Sequence, residues 1–320
     1  MHAEKPVAVV LDEGDLMDGG LAWPELETLV AIRSYRSTAP ADIISRAADA
    51  TIVLTNKTPL DAQTIAALPR LRFITVLATG FNVIDIHAAR AAGIPVSNVP
   101  AYATECVAQH TWALILELSN RVGEHASSVS AGTWSASGRW CYWQSSPFEL
   151  HGKRLGLIGR GPIALRVADI GRAFGMKVMI ASLSHPAGGP GLNTLDEVVR
   201  TSDVVSLHCR LTAEHSGMVN AELLRSMKPG ALLINTARGG LVQEHDLAEA
   251  LASGRLGGAA LDVLSQEPPS ADHPLIGAPN CIITPHMAWS GKEARQRLIE
   301  TTVGNVRAYL AGAPQHVVNA

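Results

Sequence analysis

Charge is scarce in this chain and so are aromatic rings: 17% of its 320 residues are charged and 4% are Phe, Trp or Tyr. The net charge is −3, and no cluster of Lys or Arg forms a cationic patch, which argues against a nucleic-acid partner. No uninterrupted apolar segment approaches the roughly 20 residues that cross a bilayer, so no membrane role is expected. The stretch from Met1 to Leu11 lacks the apolar core and small-residue cleavage pattern of a secretory signal. The four cysteines, Cys106, Cys141, Cys209 and Cys281, include no C-x-x-C pair. They read as reduced, mostly buried thiols of a cytoplasmic protein, and no metal site is expected. Internal repeats and low-complexity tracts are missing too.

What is present is apolar and aliphatic. Hydrophobic residues make up 47% of the chain, enough for sizeable cores, and the length favours two domains. Short apolar runs alternate with helical stretches, the pattern of parallel sheets covered by helices. The clearest unit spans 154–181. An apolar run, Leu155 to Ile158, leads into the turn Gly159-Arg160-Gly161. A helical pattern follows, with Ile163, Val167, Ile170 and Phe174 on one face, and a second run, Val178 to Ala181, closes the unit. Glycines at such a strand-to-helix junction let the chain turn sharply and let its backbone approach a pyrophosphate. The helix N-terminus beyond them offers N–H groups and a positive dipole end. A dinucleotide site is therefore expected at Gly159, Arg160, Gly161, Pro162 and Ile163.

The region before this unit reads as a first α/β domain with strands at 7–11, 51–54, 73–77 and 96–99. It has no glycine-rich phosphate turn. Its loop Ala78-Thr79-Gly80-Phe81-Asn82 follows a strand, where open parallel sheets bind ligands, and the N–H groups of Thr79 and Gly80 suit a small carboxylate. A long apolar helix is expected over 104–121, with His110 in it as a structural histidine. The irregular segment after it carries Trp134, Trp140 and Trp143, to be packed either on a subunit interface or on the chain's own domains. Further strands are expected at 204–207, 232–235, 259–263 and 282–284, giving a six-stranded second sheet, and an amphipathic helix at 292–310.

Three ionisable residues fall at strand ends of that second sheet: Arg238 after 232–236, Glu267 after 259–263 and His286 after 282–284. Each alone has a plain structural explanation. Together they make chemical sense, because Arg clamps a carboxylate with two prongs, His exchanges a proton near neutral pH, and a neighbouring Glu favours the imidazolium. Beside a nicotinamide, that set describes reduction of a 2-keto acid.

The segments 159–164, 227–242, Asp262 with Glu267-Pro268-Pro269, and Thr284-Pro285-His286 resemble the D-isomer-specific 2-hydroxyacid dehydrogenases over essentially the whole chain. Residues 102–118 and Met287-Ala288-Trp289 are most similar to the branch of glycerate dehydrogenases and hydroxypyruvate reductases. The resemblance implies two doubly wound α/β domains, with a Rossmann cofactor domain (102–287) inserted into a flavodoxin-like substrate domain (1–101 plus 288–320). It implies Arg238, Glu267 and His286 as catalytic residues. Substrate contacts are implied at Ala78, Thr79, Gly80, Arg238 and Trp289. Cofactor contacts are implied at Thr104, the 159–163 turn, Ser182, His208, Cys209, Arg210, Thr236, Ala237, Asp262 and Ala288, with Asp262 facing the nicotinamide carboxamide. It further implies a homodimer.

Two departures bear on the cofactor. Ser182 stands where an acidic residue normally accepts from the ribose 2′-OH, and Arg210 stands where the family usually has proline. Both lean towards NADP over NAD, with His185 a second candidate to face a 2′-phosphate, whereas the arginine that often directly follows this position in NADP-preferring relatives is absent, Leu183 standing there. The expected activity is NAD(P)-dependent reduction of hydroxypyruvate, glyoxylate or a similar small 2-keto acid. The alternatives are a short phosphoglycerate dehydrogenase and a non-enzymatic nucleotide-sensing module of corepressor type.

Overall fold

The protein is described by a computed structural model over residues 5–320. The chain divides into two compact units: Met1–Ala103 with Ser290–Ala320, described from Lys5 on, and Thr104–Trp289.

In the first unit five strands, β1 (Val7–Val10), β2 (Ala31–Ser34), β3 (Ile52–Thr55), β4 (Phe73–Val76) and β5 (Val96–Ser97), form a parallel sheet in the order β2-β1-β3-β4-β5. Four short helices connect them: α1 (Pro24–Leu29), α2 (Ile43–Ala47), α3 (Ala62–Ala66) and α4 (Ile86–Ala91). The central strands β3 and β4 are buried along their whole length, as parallel strands covered on both faces must be. The sequence pattern accounts for four of the five strands. β2 escapes it because it is an edge, with only Ile32 partly covered, so backbone pairing to β1 holds it rather than an apolar face. At the carboxyl end of the sheet the Asp12 carboxylate accepts from the N–H groups of Asn56 (2.8 Å) and Thr58 (2.7 Å) and from the Thr55 hydroxyl (3.0 Å), fastening the loop after β3.

The second unit begins with α5 (Thr104–Asn120), α6 (Val122–Ser130) and α7 (Thr133–Ser137). The sequence reading merges Arg121 into α5 and leaves the rest irregular. Arg121 instead adopts a left-handed conformation (φ 50°) that breaks the helix, and α6 then starts on a stretch too poor in apolar residues to show a period. The sheet follows: β6 (Arg154–Ile158), β7 (Lys177–Ala181), β8 (Val204–Leu207), β9 (Leu232–Asn235), β10 (Gly258–Leu261) and β11 (Cys281–Ile283). Between the strands run α8 (Pro162–Ala173), α9 (Leu195–Thr201), α10 (Ala221–Ser226) and α11 (Glu244–Ala252). All pairs are parallel, in the order β11-β10-β9-β8-β6-β7. The chain therefore winds outward both ways from β6, and the switch point lies between β6 and β8.

Trp112 of α5 ties this unit's core together. Its indole N–H donates to the Val167 carbonyl of α8 (3.1 Å), and its ring stacks on Phe174 with centroids 4.8 Å apart. Trp134, Trp140 and Trp143, by contrast, are 46%, 88% and 59% exposed. The last helix, α12 (Lys292–Leu310), belongs to the first unit, where Tyr309 stacks on Phe73 at 4.4 Å. Among the described residues no helix is long and apolar enough to cross a membrane.

Candidate active site

β9, β10 and β11 are neighbours in the second sheet, so the loops leaving their carboxyl ends are neighbours too. These loops carry Arg238, Glu267 and His286. The first is shaped by Asn235, fully buried at the end of β9. Its side-chain oxygen accepts from the Ala237 N–H (3.0 Å) and its amide donates to the Arg238 carbonyl (2.9 Å). The Arg238 side chain stays exposed, donating to the Ala237 carbonyl at 2.6 Å.

The next residue explains how the first two loops meet. A Cβ at Gly239 would stand 1.9 Å from the backbone carbon of Leu264, so only glycine lets the Arg238 loop lie against the loop after β10. In that second loop Glu267 folds back: one carboxylate oxygen accepts from the Leu264 N–H (3.0 Å), and the other lies 2.6 Å from His286 Nδ1. His286 and Glu267 keep 28% and 34% of their side chains exposed, so the pair is formed yet reachable. An ionised carboxylate only accepts, so Nδ1 carries the proton and Nε2 is left to exchange one with a bound molecule. The loop is braced from behind by Glu244, which accepts from the Ser265 N–H (2.7 Å) and lies 3.1 Å from His273 Nε2.

His286 itself sits in a left-handed conformation, φ 50°, which a residue with a side chain adopts only when its surroundings impose it. Asp262 imposes it. This residue is 1% exposed; its carbonyl accepts from the His286 N–H (2.8 Å), and its carboxylate accepts from the N–H groups of Met287 (2.9 Å) and Ala288 (2.9 Å) and from the Thr284 hydroxyl (2.6 Å). Trp289 follows, half-buried.

At the switch point the Gly159 backbone has φ 123°, and a Cβ there would stand 2.4 Å from the His208 carbonyl oxygen. Close packing of the loops after β6 and β8 thus demands this glycine, a reason additional to the phosphate approach that the motif suggests. A Cβ at Gly161, in contrast, would meet nothing within 4 Å, and α8 begins there with Pro162 at its first turn and no side-chain cap. An uncapped helix start beside an open glycine fits a dinucleotide pyrophosphate. Arg160 is exposed beside it and Ile163 is turned towards the core. His208 is half-buried, and desolvation of its imidazole pushes it down to about 4 and keeps it neutral; Ser206 Oγ lies 2.9 Å from its Nε2. Burial pushes the Cys209 thiol up to about 11. Arg210 is exposed on the same loop.

Beyond β7, Ser182 Oγ lies 2.9 Å from Ser184 Oγ, which lies 3.0 Å from His185 Nδ1, so a small polar cluster replaces the expected acid. Thr236 pairs with Thr111 at 2.9 Å, and Thr104 is the first residue of α5. In the first unit the Thr79 hydroxyl donates to the Val99 carbonyl and the Asn98 amide to the Thr79 carbonyl, each at 2.8 Å. Among the described residues the N–H groups of Thr79 and Gly80 donate to no protein acceptor, and Ala78 packs on that unit's core. Among the described residues no group of three His, Cys, Asp or Glu could hold a metal ion. Asn235, Thr284, Glu244 and His110 are the participants the sequence reading does not single out for the site; the buried polar residue ending β9 is a signal for the first of them.

Comparison with known proteins follows the same lines. Residues 112–288 match the model of the D-isomer specific 2-hydroxyacid dehydrogenase NAD binding domain. The chain is 44% identical over 318 residues to the hydroxypyruvate reductase of Blautia hydrogenotrophica, covering 97% of this chain and 99% of that one. It is 42% identical over 291 residues to the glycerate dehydrogenase of Methylorubrum extorquens, covering 90% and 92%. Among solved structures, the NADPH-dependent glyoxylate/hydroxypyruvate reductase of Sinorhizobium meliloti, in complex with NADP and malonate, superposes with a TM-score of 0.85 at 26% identity, covering 98% and 97%.

Proposed function

The chain belongs to the D-isomer-specific 2-hydroxyacid dehydrogenases and is an NAD(P)-dependent oxidoreductase acting on CH–OH groups; from that premise we propose that it reduces hydroxypyruvate, and glyoxylate as a smaller substrate, to the D-2-hydroxy acid. The observation that carries this reading is the Glu267–His286 bond of 2.6 Å, formed on loops adjoining the one that carries Arg238. Arg238 binds the substrate carboxylate with its two-pronged guanidinium. His286 donates the Nε2 proton to the substrate carbonyl oxygen, and Glu267 stabilises the imidazolium that does so. Bound NAD(P)H supplies the hydride. Within the first unit, Thr79 and Gly80 suit a small carboxylate, because among the described residues their N–H groups donate to no protein acceptor.

Gly161 and the start of α8 would hold the cofactor's pyrophosphate, and Ser182, His208, Cys209, Arg210, Thr236, Ala237, Asp262 and Ala288 would line the rest of its site. NADP is preferred, because the Ser182–Ser184–His185 cluster puts no carboxylate where it would repel a 2′-phosphate, and Arg210 adds a cation on the other side of the 159–161 turn. A homodimer is supported by the exposed Trp134, Trp140 and Trp143, and a cytoplasmic setting by four cysteines held in no disulfide, which are half-buried rather than mostly buried as the sequence suggests. A panel of 2-keto acids assayed with NADH and NADPH tests the reading. Hydroxypyruvate should head the panel, NADPH should be the better donor, and Ser182→Asp should shift the preference towards NADH. No turnover of any keto acid with either cofactor would leave only a nucleotide-binding module.

A further inference from the structure

We infer that His110, on the helix opening the second unit, is a positioning residue for His286, an inference that rests on the proton-transfer role just given. His110 lies 174 residues from Thr284 in sequence, yet its Nε2 stands 3.0 Å from Thr284 Oγ1 and 3.5 Å from Asp262 Oδ1. Proton counting fixes the roles. The Thr284 hydroxyl has one hydrogen, and at 2.6 Å it gives that hydrogen to the Asp262 carboxylate. It can therefore only accept from His110, whose ring must carry its proton on Nε2.

That donor completes the anchor of the catalytic loop. Asp262 is where the segment 284–288 is fastened, through Thr284 and the backbone N–H groups of His286, Met287 and Ala288. His286 needs such fastening because its φ of 50° is otherwise unfavourable. Without His110, the Thr284 hydroxyl still donates to Asp262 but loses the donor that fixes its orientation from the other side, so the segment carrying the left-handed residue is held less firmly. A histidine serving only to fill the interior would be replaceable by Leu, and its ring would not need a tautomer dictated by its neighbours. The adjacent residue repeats the device. Thr111 gives its hydrogen to the Val107 carbonyl at 2.8 Å, so it accepts from the Thr236 hydroxyl at 2.9 Å, on the loop that leads to Arg238. One turn of α5 thus braces two of the loops that carry the chemistry.

The test uses the full-length enzyme with hydroxypyruvate and NADPH, in His110→Leu and His110→Gln variants. A side chain that holds the catalytic imidazole in place should affect kcat, since small misplacements of a reacting group cost about tenfold to a hundredfold. His110→Leu should lower kcat at least about tenfold while NADPH binding, measured by fluorescence titration, and KM move less than about threefold. His110→Gln, whose amide N–H reaches in the same direction, should recover most of kcat. Thr284→Val provides a second arm if the leucine variant folds poorly. Because both residues act through one hydrogen-bonded chain, the His110→Leu/Thr284→Val double variant should lose no more than the worse single variant. Unchanged kcat in His110→Leu, failure of His110→Gln to recover it, or additive losses in the double variant would overturn the inference. Failure of the underlying reading is seen separately, in a wild-type protein that turns over no keto acid.

Discussion

Replacing Glu267 by Gln keeps the size of the side chain and removes its charge, and the structure decides what the amide does. The Leu264 N–H points at one oxygen of Glu267 (3.0 Å), so in Glu267→Gln the amide oxygen must take that place. The amide NH2 is then turned on His286 Nδ1, which is 2.6 Å from the carboxylate in the native pair. Two donors face each other unless the imidazole gives up its Nδ1 hydrogen and becomes the neutral Nε2–H tautomer. That tautomer is a poor acid in reduction and has no Nε2 lone pair to serve as base in oxidation. The lost bond is charge-assisted, worth about 1.5–3 kcal/mol, and exposure of the pair puts it near the lower end, about tenfold in rate. The wrong tautomer adds to that loss, so both directions should slow by about tenfold or more in steady-state assays of hydroxypyruvate reduction and D-glycerate oxidation. Cofactor binding should not change. Glu267→Gln with native rates in both directions would refute the orientation argument and the role assigned to the pair.

Two further substitutions test the frame around the site. In Gly159→Ala the new Cβ falls 2.4 Å from the His208 carbonyl oxygen at a φ of 123°, so we expect a stability loss of about 1–3 kcal/mol in urea melts and weakened NADPH binding by fluorescence titration. A variant as stable and as tightly binding as wild type would show that the two loops do not pack as described. Asp203, near the start of β8, would be pushed up by burial, but the Arg154 N–H (2.8 Å) and the Lys228 ammonium outweigh this and hold it below its ordinary value of 3.8. Its contribution is thus fully present above that ordinary value and is lost as pH falls through the lower native one. Asp203→Asn should cost about 1–3 kcal/mol at neutral pH, and the gap from wild type should close in acid; a gap that widens in acid contradicts the assignment.

How much of this is legible in the sequence follows from what each part depends on. The buried parallel strands announce themselves, since Val204–Leu207 or Leu232–Asn235 has no reason to be so apolar except cover on both faces. β2 does not, because an edge strand bearing Arg33 is defined by its partner's backbone. The break at Arg121 rests on one left-handed residue that no propensity marks. Arg238, Glu267 and His286 can be chosen from the sequence because each follows a recognisable strand and carries distinctive chemistry. The order of the strands, which makes their loops neighbours, and the Gly239–Leu264 contact are visible only in the fold. His110 reads as merely structural in the sequence for the same reason: Thr284 is 174 residues away, and an isolated histidine on an apolar helix gives no hint of it.

The most direct test of the whole account is a single-turnover experiment on His286→Asn. The enzyme is loaded with NADPH, mixed with hydroxypyruvate, and the decay of cofactor fluorescence is followed beside wild type. A positioned general acid contributes about a hundredfold to ten-thousandfold, so the variant should bind NADPH normally and oxidise it at least about a hundred times more slowly. Equal decay in the two proteins would mean that this imidazole supplies no proton, and the assignment of the chemistry to these three loops would be wrong.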